Sequence, residues 1–156
     1  MTQSSAAAET FARLLQAHAT ITRELNARLV AEHGLTINDY EVLLRLARAD
    51  DRRMRRVDLS NEVLLSPSGI TRMLDRLQEA GLVEKGSCES DARVTYAVLT
   101  DKGIAKLREV SPGHVSDVER LLGERLDDEE LATLAGLLDR VGARDQYARE
   151  PGHDGV

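Results

Sequence analysis

The chain of 156 residues has no tryptophan, one phenylalanine and a single cysteine, Cys88. A lone cysteine excludes an internal disulfide, so the sequence does not describe a disulfide-stabilised secreted scaffold and fits a reducing cytosol. No apolar run approaches the roughly 20 residues of a membrane-spanning helix, and the N-terminus lacks the basic segment and apolar core of a signal peptide. We therefore expect a cytoplasmic protein without a membrane partner.

Signatures of catalytic chemistry are also missing from the sequence. The four histidines lack the spacing of metal ligands; they are His18, His33, His114 and His153. No glycine-rich phosphate loop and no pairing of a nucleophile with a base occurs. We therefore expect neither an enzyme nor a protein that carries a metal or another cofactor.

The net charge of −6 is unevenly distributed along the chain. Residues 36–105 carry 11 basic and 12 acidic side chains, whereas residues 106–156 carry 7 and 12. The attraction between a protein and DNA phosphates decays over about 8–10 Å at physiological salt, so the local charge decides whether a surface binds DNA. The acidic C-terminal end is therefore compatible with a DNA-binding patch in the nearly neutral middle.

Long helical patterns flank this middle region. The first covers residues 6–33 and ends at Gly34; its stripe of three- and four-residue spacing comprises Phe11, Leu14, His18, Ile21, Leu25 and Leu29. At the other end Thr100 caps a helix, SPG at residues 111–113 predicts an interruption of it, and a last helix starts near Asp128. Such stripes are buried against one another or against a second chain, so we assign residues 6–34 and 101–143 to dimerisation.

The middle region reads as three short helices. Thr36 and Asp39 resemble a capping box at the start of a helix that buries Tyr40, Leu43, Leu44 and Ala47. A polar connection over residues 49–56 leads to a helix over about 57–64, which presents Val57, Leu59, Val63 and Leu64 to the core. Ser66 as N-cap, Pro67 in the first helical position and Gly81 after the end bound a third helix over 67–80. Two short helices joined this closely form a helix-turn-helix.

Two β-strands follow these helices. LVEK at residues 82–85 and RVTYAVL at 93–99 are separated by the polar loop 86–92. A hairpin directly after a helix-turn-helix is a winged-helix arrangement. The predicted fold class is therefore mainly α with a small β-hairpin wing: a winged helix-turn-helix over residues 35–100 and a helical dimerisation region, with disordered tails at 1–5 and 144–156.

Three segments of this region, in order, resemble the MarR (multiple antibiotic resistance regulator) family of bacterial transcription factors. They are LTINDYEVLLRLA, VDLSNEVLLSPSGITRMLDRLQEAGLVEK and SDARVTYAVLTDKG, within residues 35–105. The resemblance implies a homodimer whose first and last helices form the interface. It also implies binding to double-stranded DNA that a small-molecule effector controls, most simply as a repressor that the effector releases. The SPG sequence departs from the family, in which the fifth helix runs long.

The third helix of the middle region has two chemically different sides. Ile70, Met73, Leu74 and Leu77 form the apolar side. The other side suits the major groove, because arginine grips guanine with two hydrogen bonds and hydroxyls bind phosphates or bases; the candidate DNA-binding residues are Ser66, Ser68, Thr71, Arg72 and Arg76. We expect Arg72 to read bases and Arg76 to contact phosphate. The alternative is an ordinary solvated face with Arg72–Asp75 and Arg76–Glu79 pairs.

The hairpin loop carries Asp91 and Arg93, which match the family's Asp-x-Arg. The resemblance implies that Arg93 enters the minor groove, where negative potential attracts arginine, and that Asp91 holds the wing. A solvated charged pair is the alternative. The basic run in the connection either touches phosphates or is simply solvated; it comprises Arg52, Arg53, Arg55 and Arg56.

Three further hypotheses remain open at this point. A ligand pocket near His18 and Tyr40 is suggested by the resemblance and by two polar-tipped side chains on apolar helix faces. Cys88 at the wing tip would allow a redox-sensing regulator, although Glu89 and Asp91 nearby disfavour a thiolate. A winged-helix module that binds protein instead of DNA is the remaining alternative.

Overall fold

A computed structural model of the chain describes residues 5–63 and 65–142, with the backbone alone at Pro67. The helices are α1 (Ala6–His33), α2 (Ile37–Arg48), α3 (Arg56–Glu62), α4 (Pro67–Glu79), α5 (Asp101–Gly123) and α6 (Asp128–Gly142). The strands are β1 (Arg53–Arg55), β2 (Val83–Ser87) and β3 (Thr95–Leu99), and a 3-10 turn (Asp50–Arg52) precedes β1. In this described part, no helix is both long and apolar enough to cross a membrane.

The predicted caps of the first two helices are confirmed. Gly34 adopts a left-handed conformation with φ 68° after α1, which glycine reaches without the steric penalty of a Cβ. At the start of α2, the Thr36 hydroxyl accepts the Asp39 N–H at 3.1 Å and the Asp39 carboxylate accepts the Thr36 N–H at 2.8 Å. Ser5, which we predicted to lie in a disordered tail, caps α1 by accepting the Ala8 N–H. The rest of the predicted tails, residues 1–4 and 144–156, lies outside the described residues.

The helix-turn-helix also forms as predicted, with one error. Ser66 caps α4 by accepting the Gly69 N–H at 3.1 Å, and Gly81 has φ 75° after the helix. The four apolar side chains of α4 are buried. Val57, which we predicted to be in the core, is 58% exposed because α3 begins at Arg56 and places Val57 in the outward-facing part of its first turn. Leu64, also predicted in the core, lies outside the described residues.

The sheet has three strands, not the two of a simple hairpin. The strand order is β1–β3–β2, and both pairings are antiparallel. β1 comes from the predicted polar connection: Arg53 faces Val98, Met54 faces Ala97 and Arg55 faces Tyr96. A three-residue strand with a single apolar side chain has no recognisable period, so only the open edge of β3 makes it a strand. Part of the segment that we predicted to be only a polar connection is therefore a strand of the sheet.

The core lies between α2, α3, α4 and the sheet. Val42, Leu43, Leu46 and Leu59 are completely buried there. Leu107 and Val110 of α5 belong to the same cluster, so the first half of α5 packs on the winged-helix region. The contact is close, because a Cβ at Gly103 would lie 2.2 Å from the carbonyl oxygen of Leu82.

The predicted interruption of the fifth helix is wrong, since α5 continues through Pro112. Proline removes one backbone donor, yet the preceding turn is held in place by the burial of Val110 and by side-chain bonds. The Ser111 hydroxyl donates to the Leu107 carbonyl at 2.7 Å and is also bonded to the Tyr40 hydroxyl at 3.2 Å. Packing therefore outweighs the proline.

The chain divides into two compact units, one reaching to Val115 and the other starting at Ser116. The first unit holds the winged-helix region with α1 and the first part of α5. In the second unit, α6 has no buried residue, and Leu137, Leu138 and Val141 are exposed.

Candidate nucleic-acid interface

The polar side of α4 is accessible along its length. Ser66, Ser68, Arg72 and Arg76 are exposed, while Thr71 is half-buried. The Ser66 hydroxyl lies 3.2 Å from that of Ser68 and accepts the Gly69 N–H, so the first turn of α4 presents two neighbouring hydroxyls at its surface. The helix therefore offers donors for anions at its N-terminus and one arginine a turn further on.

Arg72 and Arg76 lie on the same helix but differ in their partners. Arg72 forms no ion pair with any residue of the described part of the chain, so the alternative Arg72–Asp75 pair is not seen there. The guanidinium of Arg76 instead pairs with the Asp39 carboxylate on α2. The Asp39 side chain is 1% exposed, whereas that of Arg76 is 56% exposed. The sequence does not reveal this pair, because its members are 37 positions apart.

Thr71 is held by a contact that the sequence does not predict. The guanidinium of Arg56, the first residue of α3, donates to the Thr71 hydroxyl. This bond joins the two helices of the helix-turn-helix on the side that faces the wing. The Thr71 hydroxyl is therefore oriented by Arg56.

Asp91 and Arg93 form a local turn at the wing. The Asp91 carboxylate accepts the backbone N–H of Arg93 at 3.0 Å and its Nε–H at 3.3 Å. The Arg93 side chain is nevertheless 92% exposed. Asp91 thus stabilises the loop while the rest of the guanidinium points into solvent. The roles on DNA that the resemblance implies for both residues stay predictions.

The arginines of the basic run form contacts with the wing and with neighbouring helices. The guanidinium of Arg53 lies 4.0 Å from the centre of the Tyr96 ring and donates to the Ser87 carbonyl at 3.2 Å. Arg52 pairs with Asp101 at 3.0 Å. Arg55 binds Asp58 through two hydrogen bonds, and these raise the pKa of the Arg55 guanidinium above its ordinary value. With the bond from Arg56 to Thr71, all four arginines of the run therefore have partners within the protein.

An open cavity of about 360 Å³ lies between α3, α4 and the wing. Its walls carry three guanidinium groups and several hydroxyls; they include Arg55, Arg56, Arg93, Ser60, Thr71 and Thr95. No carboxylate lines it. The lining between the helix and the wing is therefore rich in guanidinium groups, although Arg55 and Arg93 pair with Asp58 and Asp91 outside it.

Cys88 lies near the tip of the wing and is half-exposed. Hydrogen bonds from the Ser90 hydroxyl and from the backbone N–H groups of Ser90 and Asp91 lower the pKa of its thiol. The nearby Asp91 charge raises this pKa but has the smaller effect. From sequence we considered only the acidic neighbours, because the direction of loop N–H groups is set by the folded backbone.

The two candidate ligand residues occupy different surroundings. His18 is exposed on α1, whereas Tyr40 is 5% exposed and packs its ring against His114 at a centroid distance of 4.4 Å. The Tyr40 hydroxyl bonds to Ser111, as described above. Neither residue lines the cavity between α4 and the wing. The structure of one chain does not bring them into a common pocket among those described, and the ligand site stays a prediction.

Comparison with known proteins gives a consistent result. A family model described as MarR family matches residues 33–94. The HTH-type transcriptional repressor YetL of Bacillus subtilis is 31% identical over 71% of this chain and 68% of its own length. Two structures from Streptomyces coelicolor are similar. AbsC, a MarR family transcriptional regulator, has a TM-score of 0.79 at 32% identity, covering 91% of this chain and 96% of its own. Sco3205, solved in complex with DNA, has a TM-score of 0.81 at 28% identity, covering 91% and 89%.

Proposed function

Since the chain belongs to the MarR family of transcriptional regulators, we propose that it is a cytoplasmic homodimeric repressor that binds a pseudo-palindromic DNA operator and is released by a small molecule. Two similarities support this proposal: YetL is named a transcriptional repressor, and Sco3205 was solved in complex with DNA. In it, α4 is the recognition helix, and the region of residues 35–100 is the DNA-binding domain.

The observation that carries the proposal is the combination of Arg72 and Arg93. Arg72 is exposed without an ion pair in the described chain, and Arg93 is 92% exposed on the wing. A helix and a wing that each present an arginine suit adjacent major and minor grooves of B-DNA. Ser66, Ser68 and the Arg56-bound Thr71 add hydroxyls between them. We therefore propose that these residues contact the operator, with Asp91 holding the wing.

The proposed dimer follows from the exposed apolar side chains of the terminal helices. On α1, Phe11 is 60% exposed and Leu15 is 52% exposed. On α6, Val141 is 75% exposed and Leu137 49%. Burying such side chains is favourable by about 25 cal/mol per Å² of apolar surface, and a second copy of the chain is the partner that the family resemblance implies. We assign residues 6–34 and 101–143 to this interface.

The proposal also includes a small-molecule site near His18 and Tyr40. Tyr40 bonds to Ser111 and packs against His114, so three polar groups meet beside the winged-helix region. His18 lies on the α1 surface that the proposed dimer covers. The site would therefore be complete only when a second copy supplies its outer wall.

The test is binding of the purified full chain to the DNA fragment upstream of its own gene. We expect a salt-dependent mobility shift and retention on heparin, because phosphate contacts release counterions. A scrambled fragment of the same length is the control. Binding to neither fragment, together with capture of a protein partner through α4, would overturn the proposal in favour of a protein-binding module.

A further inference from the structure

Asp39 has a buried side chain and takes part in three hydrogen bonds at the start of α2. One oxygen accepts the Thr36 N–H at 2.8 Å, and the other accepts from the Arg76 guanidinium. The backbone N–H of Asp39 donates to the Thr36 hydroxyl at 3.1 Å. With a side chain only 1% exposed, this carboxylate is cut off from water, so its charge has to be compensated by partners within the protein. Arg76 is its cationic partner.

The first turn of α2 is also attached to α1. The side-chain oxygen of Asn26 accepts the Ile37 N–H at 3.0 Å. The ion pair of Arg76 therefore links α4 to the first turn of α2, and the bond from Ile37 to Asn26 links the same turn to α1. Arg72, four residues earlier on α4, has no such connection in the described part of the chain.

We propose that Arg76 is a positioning residue, which sets the orientation of α4 through Asp39, and not the phosphate contact that its exposed place on the helix suggests. This inference rests on the proposed DNA-binding function of α4. The guanidinium nitrogen that binds Asp39 is not available to a phosphate. Leaving Asp39 buried without a cation would favour a shifted α4, and a recognition helix that is misplaced by a fraction of an ångström loses its bidentate contacts with bases.

The experiment is a double-mutant cycle with Asp39→Asn and Arg76→Gln in the full-length protein. DNA affinity for the upstream fragment is measured by fluorescence anisotropy at several salt concentrations, and thermal unfolding shows that each variant is folded at the temperature used. We expect each single variant to bind roughly tenfold more weakly, because each removes the ion pair that orients α4, and the effects of two residues in one ion pair do not add. The double variant should be no weaker than either single variant, and the slope of log affinity against log salt should stay unchanged.

Arg72→Gln is the matched control, since it removes the same group from the same helix. Its effect should add to that of Asp39→Asn, because Arg72 does not act through Asp39. A phosphate-contacting Arg76 predicts the opposite pattern. Arg76→Gln would then lower the salt slope by about one unit per contact in both backgrounds, and Asp39→Asn would leave affinity unchanged or increase it. That result would overturn the inference.

Asp39→Asn decides the question even if Arg76→Gln does not fold. Asparagine keeps an oxygen for the Thr36 N–H while it removes the charge that holds Arg76. Unaltered DNA affinity in this variant overturns the positioning role, and a loss at unchanged salt slope supports it. If the wild-type protein bound no DNA, the proposed function itself would be wrong. If the wild-type protein bound DNA but Asp39→Asn and Arg76→Gln had additive effects, only the positioning role of Arg76 would be wrong.

Discussion

The winged-helix region and the terminal helices bury their apolar side chains in different ways. In the former, Val42, Leu43 and Leu46 are completely buried by the chain itself. In contrast, residues 6–20 of α1 are exposed throughout, and α6 has no buried residue. The amphipathic pattern is similar in both places, so pattern alone does not reveal whether a helix packs on its own chain. We therefore expect that the middle is stable by itself and that the proposed dimer covers the apolar side chains of the ends.

The largest expected effect concerns the ends of the chain. Replacing Phe11 and Leu15 by serine should convert the proposed dimer to monomers, because each such side chain contributes on the order of 1.5–3 kcal/mol when it is fully buried. Sedimentation velocity at micromolar concentration measures the change. Gln16→Ser is the control on the same helix and should leave the dimer intact. A wild-type monomer, or a dimer that survives both substitutions, would contradict the assignment of this face.

A second prediction tests the autonomy of the middle. Leu46→Ala should lower the free energy of unfolding by about 2–5 kcal/mol, since it leaves a cavity in a fully packed core. This loss should be the same at every protein concentration when urea unfolding is followed. Leu137→Ala, in an exposed position of α6, should instead lower stability only in a concentration-dependent way. If both losses varied with concentration, the middle would not be stable on its own.

A third prediction separates the two proposed DNA contacts within the middle. Arg72→Ala should cost about 1–3 kcal/mol of binding per half-site and reduce discrimination between native and scrambled operators. Arg93→Ala should weaken binding most where the flanking sequence is A/T-rich and has a narrow minor groove. Titration of both variants against the two operators, and against operators with A/T or G/C flanks, measures these effects. An equal loss on all four DNAs for Arg72→Ala would exclude base reading.

The smallest effect is expected at Cys88. Because hydrogen bonds lower the pKa of its thiol, more thiolate is present near neutral pH than in an ordinary cysteine. The rate of alkylation by iodoacetamide should therefore rise at lower pH in the folded protein than in the urea-denatured chain. Ser90→Ala removes the largest cause and should move the folded profile to higher pH. Identical profiles for folded and denatured protein would show that the wing does not activate the thiol.

Much of the helical framework was predictable because its signals are local. The Thr36–Asp39 capping box, the Ser66 cap and the glycines at 34 and 81 are short-range features, and the structure contains each of them. The fold class is likewise confirmed by the similarity to AbsC. The site was predictable as residue types on one helix face and one hairpin loop, and their roles on DNA remain predictions.

Two of the errors in the fold, at β1 and in α5, have a common origin in tertiary contact. β1 exists because β3 has an open edge beside it, and no pattern within Arg53–Arg55 indicates that edge. α5 continues through Pro112 because Val110 and Ser111 are held against the core, which a local rule for proline does not consider. Both features depend on residues more than 40 positions away along the chain.

The sequence by itself therefore determined which segments are helices, where most of them begin and end, and which face of α4 is polar. Those properties depend on hydrogen bonds and periodicities within a few residues. Only the tertiary structure decided that Arg76 is committed to Asp39 while Arg72 is not, and that Ser90 and loop N–H groups lower the pKa of Cys88. The sequence shows that a residue is an arginine, but the packing of elements that are distant in sequence determines which carboxylate pairs with it.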